Sequence, residues 1–197
     1  MLINYNSEHT LYILGAGIIS KTLESLIQHE STGTLKIIAY EEFDKLPDDS
    51  QCIIGISDIH ARKNIIEKSK FKNTVWPTYI HPTAIVDPMA AIGQGCYIDA
   101  LSYVMPRACC NEFALIGPMS MISHNTMLGS NVFVGPRTTL AGSISIGDNV
   151  FFGLGSLIKD KITICSNTEF FMSSVVTKNI LLPGTYFGNK KISVKYD

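Results

Sequence analysis

From Ile80 to about residue 181 the apolar residues of this chain recur every six positions. Counting in sixes from Ile80 through Val86, Ile92 and Ile98 to Phe170 and Val176 meets seventeen positions, and all are apolar. The position four further on, from Ala84, Ala90 and Cys96 to Ser174 and Ile180, is small or β-branched throughout. Glycine recurs at the second position of the hexad, as at Gly93, Gly117, Gly129, Gly135, Gly147 and Gly153. A period of six suits neither an amphipathic helix nor an alternating strand. It suits a solenoid of short strands, each burying one large side chain, with glycine or small residues expected to let the backbone turn.

The first third of the chain reads differently. Thr10–Gly15 is an apolar strand running through Gly15, Gly17 and Ser20 into a helical stretch, 21–29. Strands are expected at 35–40 and 51–56, the latter followed by a helix to about Lys70. Strand, glycine turn and helix in this order place helix N-terminal amides where an anion binds. Three strands make half of a dinucleotide fold, better suited to one nucleotide, such as uridine diphosphate, than to NAD. Residues 72–77 read as the linker, so the expected domains are 1–75, a small Rossmann-like nucleotide-sugar-binding unit, and 76–197, the solenoid with its tail.

The formal net charge of −1, with 17 % charged residues, speaks against a nucleic-acid partner. The longest apolar run, 11–19, is too short to span a bilayer, and 1–10 lacks the pattern of a signal peptide, so no membrane association is expected. Five cysteines, with Cys96 and Cys110 at inward solenoid positions, are read as reduced core filler in a cytoplasmic protein.

A short half-Rossmann unit, the run Ile80-His-Pro-Thr-Ala-Ile-Val-Asp-Pro-Met-Ala-Ala-Ile-Gly-Gln-Gly95 and an unbroken hexapeptide solenoid together resemble the sugar acyltransferases of the PglD and NeuD type. Ser57, Asp58 and Arg62 resemble that family's segment after the third strand, and 183–191 its closing segment. The resemblance implies a left-handed parallel β-helix after an α/β unit, with three hexads to a coil, so that five to six coils stack ~4.8 Å apart and residues eighteen apart lie above one another. It implies a homotrimer with active sites between neighbours, and acetyl-CoA as co-substrate without a metal. It also implies transfer of an acetyl group to the amino group of a UDP-linked amino sugar in surface glycan synthesis. O-acetylation of sialic acid or a related sugar is the alternative. On the same grounds Gly15, Gly17, Ser20, Asp58 and Arg62 are expected at the nucleotide sugar.

His124 occupies the third position of its hexad, at an outward corner, and the resemblance implies that it acts as general base. One coil later Gly142 offers an N–H, open to close approach, for the thioester oxygen. Lys190 and Lys191 are expected near the phosphates of CoA, with Lys178 a weaker candidate. The chain departs from the family around the acceptor. Asn125 stands where an acidic residue usually follows the histidine, Gly117-Pro118 where Asn-Thr is usual, Phe133 where another histidine is common, and only Glu41-Glu42 remain of an acidic cluster. An amide holds a tautomer but supplies no charge. These changes keep open a second class of function, a non-catalytic trimeric scaffold that binds a nucleotide sugar. With only His81 and His124 in the solenoid, a three-histidine zinc site of the γ-carbonic-anhydrase kind is not expected.

Overall fold

A computed structural model describes residues 1–3, 5–30 and 33–192 of the chain, without the side chains of Ile3 and Glu30. It divides into two compact units, the first Met1–Ile80 and the second beginning at His81.

The first unit contains β1 (Leu2–Ile3), β2 (Leu11–Leu14), α1 (Ile18–Glu30), β3 (Leu35–Ile38), a 3₁₀ segment (Tyr40–Lys45), β4 (Gln51–Ile54), α2 (Ile59–Ser69) and β5 (Thr78–Ile80). The parallel sheet has the order β3-β2-β4, with Leu14 level with both Ile38 and Ile54. Leu11, Ile13 and Leu14 of β2 are fully buried, as are Leu23 and Ile27 of α1. A strand covered on both faces reads as a continuous apolar run, and this one does.

The expected linker is part of this unit, so the boundary lies at Ile80 instead of 75. Val75 donates to the Ser50 carbonyl (3.0 Å) and accepts from the Cys52 N–H (2.9 Å), extending the sheet beyond β4. The Trp76 ring lies 5.9 Å from that of Phe43, and β5 pairs antiparallel with β1. Apolar side chains and unpaired strand edges, where a spacer would be polar, explain the difference.

In the second unit the six-residue period is a three-sided parallel β-helix, with the ladders between Ile85–Val86 and Val175–Val176 in a register of eighteen: Ile122 pairs with Leu140, Leu128 with Ile146 and Val134 with Phe152. Past them the register shortens to sixteen, Phe170 pairing with Tyr186. The last sheet is completed by the hairpin Gly184–Phe187 and Lys190–Ile192. From Ile98 to Val176 the first-position residues are at most 4 % exposed and fill the interior as ladders, with the rings of Phe152 and Phe170 stacked at 5.2 Å. Buried hydroxyls at the fifth position donate to backbone carbonyls of the next coil, Ser102 to Gly117 (3.0 Å), Ser120 to Gly135 (3.0 Å) and Thr126 to Ala141 (2.7 Å). Each therefore keeps a partner inside an apolar core.

The second-position glycines are not the turning points. The backbone turns at the fourth position, where every residue from Gly95 to Ser173 has φ between 55° and 69°, and all but Gly95 and Gly155 carry side chains. Left-handed backbone costs a non-glycine residue about 1–2 kcal/mol. Here the ladders on either side of each corner offset that cost. Second-position glycines answer a different constraint: a Cβ at Gly135 would stand 2.6 Å from the Phe152 carbonyl oxygen, and at Gly153 2.4 Å from the Met172 nitrogen. Successive coils approach too closely there for any side chain.

Candidate active site

The corner that follows the strand Met121–Ile122 carries the candidate chemistry. Third-position N–H groups point away from the ladders: none donates to a backbone carbonyl among the described residues, and five of these positions, Pro82, Pro88, Pro106, Pro118 and Pro136, need no N–H at all. His124 and Gly142 occupy this position in consecutive coils, so the Gly142 N–H is free to donate outward.

The His124 side chain is exposed and lies against Gly142. A Cβ on Gly142 would stand 2.6 Å from His124 Cε1 and 2.7 Å from Nε2, so only glycine leaves room for the imidazole. The chain holds the two coils together beneath the ring, the Ser143 N–H donating to the His124 carbonyl at 2.9 Å. Asn125, in the left-handed region at φ 57°, brings its amide back to His124, with Nδ2 3.0 Å from Nδ1. Its Oδ1 accepts from Nε of Arg107, one coil earlier, at 2.7 Å. Arg107 carries no motif that marks it in the sequence. Its signal was the eighteen-residue spacing to Asn125.

Beyond Gly142 the same corner passes Asp160 and Lys161, paired at 3.9 Å, and reaches Lys178, three coil steps or ~14 Å from His124. A shallow cavity of about 190 Å3 beside it is lined by Thr139, Leu157, Lys159, Val175 and Thr177 among others. Lys178 thus shares the histidine's corner, whereas Lys190 and Lys191 lie on the terminal hairpin. Lys191 Nζ donates to the Pro183 carbonyl (2.6 Å), while the Lys190 side chain is exposed. The hairpin reaches Lys178 through Asn189, whose Oδ1 accepts from the N–H groups of Thr177 (2.8 Å) and Lys178 (3.2 Å).

Two of the departures have packing reasons. A Cβ at Gly117 would stand 2.8 Å from the Pro136 nitrogen. Phe133 is buried and stacks on Phe151 at 4.8 Å, away from the His124 corner.

The first unit has its own cleft, of about 210 Å3, lined by Gly15, Ala16, Gly17, Tyr40, Gly55 and Ser57 among others. Gly15, at φ 118°, makes the turn out of β2 that only glycine adopts readily. Of the five residues expected at the nucleotide, Gly15 and Gly17 line this cleft. The other three do not line it. Ser20 is fully buried and donates to the Gly55 carbonyl (3.0 Å), Asp58 caps α2 by accepting from the Ala61 N–H (2.6 Å), and Arg62, 1 % exposed, donates to the carbonyls of Ile54 (3.4 Å) and Ile56 (3.2 Å). A hydroxyl and a guanidinium next to a glycine turn carry the same sequence signal whether they face a ligand or the backbone. Tyr40, Gly55 and Ser57 enter instead. Tyr40 is followed directly by Glu41, whose hydrogen bond and negative charge raise the phenol above its ordinary 10.0.

Among the described residues no three metal-ligating side chains converge, and no helix is long and apolar enough to cross a membrane.

No protein-family model matches the chain, and no curated protein sequence does either. Solved structures do. The acetyltransferase domain of PglB from Neisseria gonorrhoeae FA1090, in complex with acetyl coenzyme A, superposes with a TM-score of 0.84 at 21 % identity, over 95 % of this chain and 100 % of that one. A histidine-to-alanine mutant of GDP-perosamine N-acetyltransferase from Caulobacter crescentus, in complex with CoA and GDP-perosamine, gives 0.81 at 21 % identity over 95 % and 97 %. WeeI from Acinetobacter baumannii AYE gives 0.80 at 18 % over 93 % and 99 %. The chain therefore has, along nearly its whole length, the fold of these proteins: an α/β unit followed by a left-handed β-helix of hexapeptide repeats.

Proposed function

We propose that this protein transfers the acetyl group of acetyl-CoA to the amino group of a nucleotide-linked amino sugar, with His124 as the general base. The observation that carries this reading is the exposed imidazole of His124 set against Gly142, whose N–H has no partner among the described residues. The amine attacks the thioester carbon, the C–S bond breaks, the amine proton passes to the imidazole, and the CoA thiolate leaves. The Gly142 N–H donates to the carbonyl oxygen and to the oxyanion that develops on it. Lys178, on the same corner, meets the diphosphate, with Lys190 and Lys191 on the adjoining hairpin. The cleft at Gly15 and Gly17 receives the nucleotide of a UDP-sugar. Complexes of proteins with this fold with acetyl coenzyme A, and with CoA and GDP-perosamine, support the pairing of an acyl-CoA with a nucleotide sugar.

The active assembly in this reading is a homotrimer with His124 facing a groove shared with the neighbouring copy. The sheet leading to that corner presents Ile85, Leu157 and Val175 outward, each half exposed or more, and a partner would bury this apolar row. Five unpaired cysteines fit a reducing compartment such as the cytoplasm.

Release of CoA from acetyl-CoA, followed with a panel of UDP- and GDP-linked amino sugars and with sialic acid, tests the reading on wild type and His124→Ala. Acetyl transfer to an amine by the wild type, reduced at least ~100-fold in the variant, is the expected result. Transfer to a hydroxyl would assign O-acetylation, and no transfer to any acceptor would leave a binding scaffold.

A further inference from the structure

We propose that Arg107 is a positioning residue that holds neutral His124 in the tautomer carrying its proton on Nε2. Donors and acceptors around the ring decide the tautomer. Arg107 Nε has only a hydrogen to offer, so the Asn125 atom it meets at 2.7 Å is the amide oxygen. The amide is planar, which turns its NH2 group the other way, onto His124 Nδ1 at 3.0 Å. An NH2 group donates, so Nδ1 presents its lone pair. A neutral imidazole has one N–H, and it therefore resides on Nε2, the nitrogen beside Gly142.

The consequence, which rests on the acetyl-transfer reading above, concerns how the base is loaded. Taking a proton at Nε2 needs a lone pair there. That requires the Asn125 amide to turn over, so that Oδ1 accepts from Nδ1–H, and the Arg107 N–H then faces an NH2 group and loses its acceptor. The imidazolium meets one donor-against-donor contact in either orientation. Among the described residues no charge elsewhere on the corner removes this conflict: the next coil brings Gly142 and Ser143, and the coil after it Lys159 and the mutually paired Asp160 and Lys161. A carboxylate at 125 would accept from both neighbours at once. The Arg107–Asn125 pair thus restrains His124 as a base and reserves the Nε2–H as a donor.

The test uses the full chain with 15N-labelled histidine, and reads the ring nitrogen shifts of His124, identified by their loss in His124→Ala. The wild type should show Nε2 protonated, Asn125→Asp should show Nδ1 protonated, and Arg107→Met should populate both. In acetyl transfer, kcat should rise about fivefold in Arg107→Met, the factor of one ordinary hydrogen bond, and at least as much in Asn125→Asp. A wild type protonated at Nδ1, or a tautomer unmoved by both substitutions, overturns the proposal. A switched tautomer with a lowered kcat in Asn125→Asp overturns its link to rate. The shifts are read without substrate, so they decide the tautomer even if no acceptor is acetylated.

Discussion

The imidazole of His124 rests on the Cα of Gly142, one coil further along the solenoid, at a separation that leaves no space for a methyl group. The contact exists because the two residues occupy the same hexad position eighteen residues apart. Gly142→Ala therefore pushes the ring off its seat. The ring is exposed and has solvent to shift into, so the melting temperature should change little, by an amount equivalent to ~0.5 kcal/mol or less. Acetyl transfer should fall about 10- to 100-fold, because a displacement of this size separates base from substrate. Thermal melts beside single-turnover rates check both halves.

The glycines at the second position should respond in the opposite way. Gly153→Ala places a Cβ against the backbone of Phe171 and Met172, which cannot move aside. A loss of about 1–3 kcal/mol is expected in urea unfolding, with the m-value unchanged. Gly17→Ala, where a Cβ meets nothing within 4 Å, is the control and should stay near wild type.

The buried guanidinium of Arg62 ties the carbonyl of Ile54, which ends β4, to that of Ile56 just beyond it. Arg62→Met should destabilise the first unit by about 1–3 kcal/mol, through carbonyls left without a donor. Hydrogen exchange should rise at 51–69 while the amides of the solenoid keep their protection.

Lys178 stands on the histidine's corner, whereas the Lys191 ammonium is engaged by Pro183. Lys178→Ala should raise KM for acetyl-CoA about two- to fivefold with kcat unchanged, and the effect should shrink in high salt. Lys191→Ala should do less. The reverse order would move the phosphate site to the hairpin.

Burial pushes the Cys52 thiol up to about 12, with Lys72 partly opposing, and Cys110 is raised further by burial and by the neighbouring Cys96 and Cys109. Their ordinary value is 9.0. Below about pH 9 both thiols keep their protons folded or unfolded. Above it the unfolded chain releases protons that the folded chain retains, so stability declines with rising pH. Melting temperatures across the alkaline range should fall, and less steeply in Cys110→Val. In the native protein a thiol reagent should label Cys109 and Cys165 well before the buried Cys52, Cys96 and Cys110.

The six-residue period was enough to set the solenoid, its register and the corner that carries His124. A side chain every six residues must be buried, and three hexads to a coil leave one way to stack Ile122, Leu140 and Ile158. It also determined that Gly142 follows His124 in space, since both count from the same repeat. Tertiary structure decided what the repeat does not encode. Fourth-position residues such as Arg107 and Asn125 make the turns, and second-position glycines serve the close approach of coils, because turning and stacking are set by backbone geometry between coils. Ser20 and Arg62 face inward, because carbonyls at the end of β4 needed donors, and a one-dimensional pattern does not show which groups lack partners. The orientation of the Asn125 amide was decided in the same way, by the single hydrogen that Arg107 Nε directs at it.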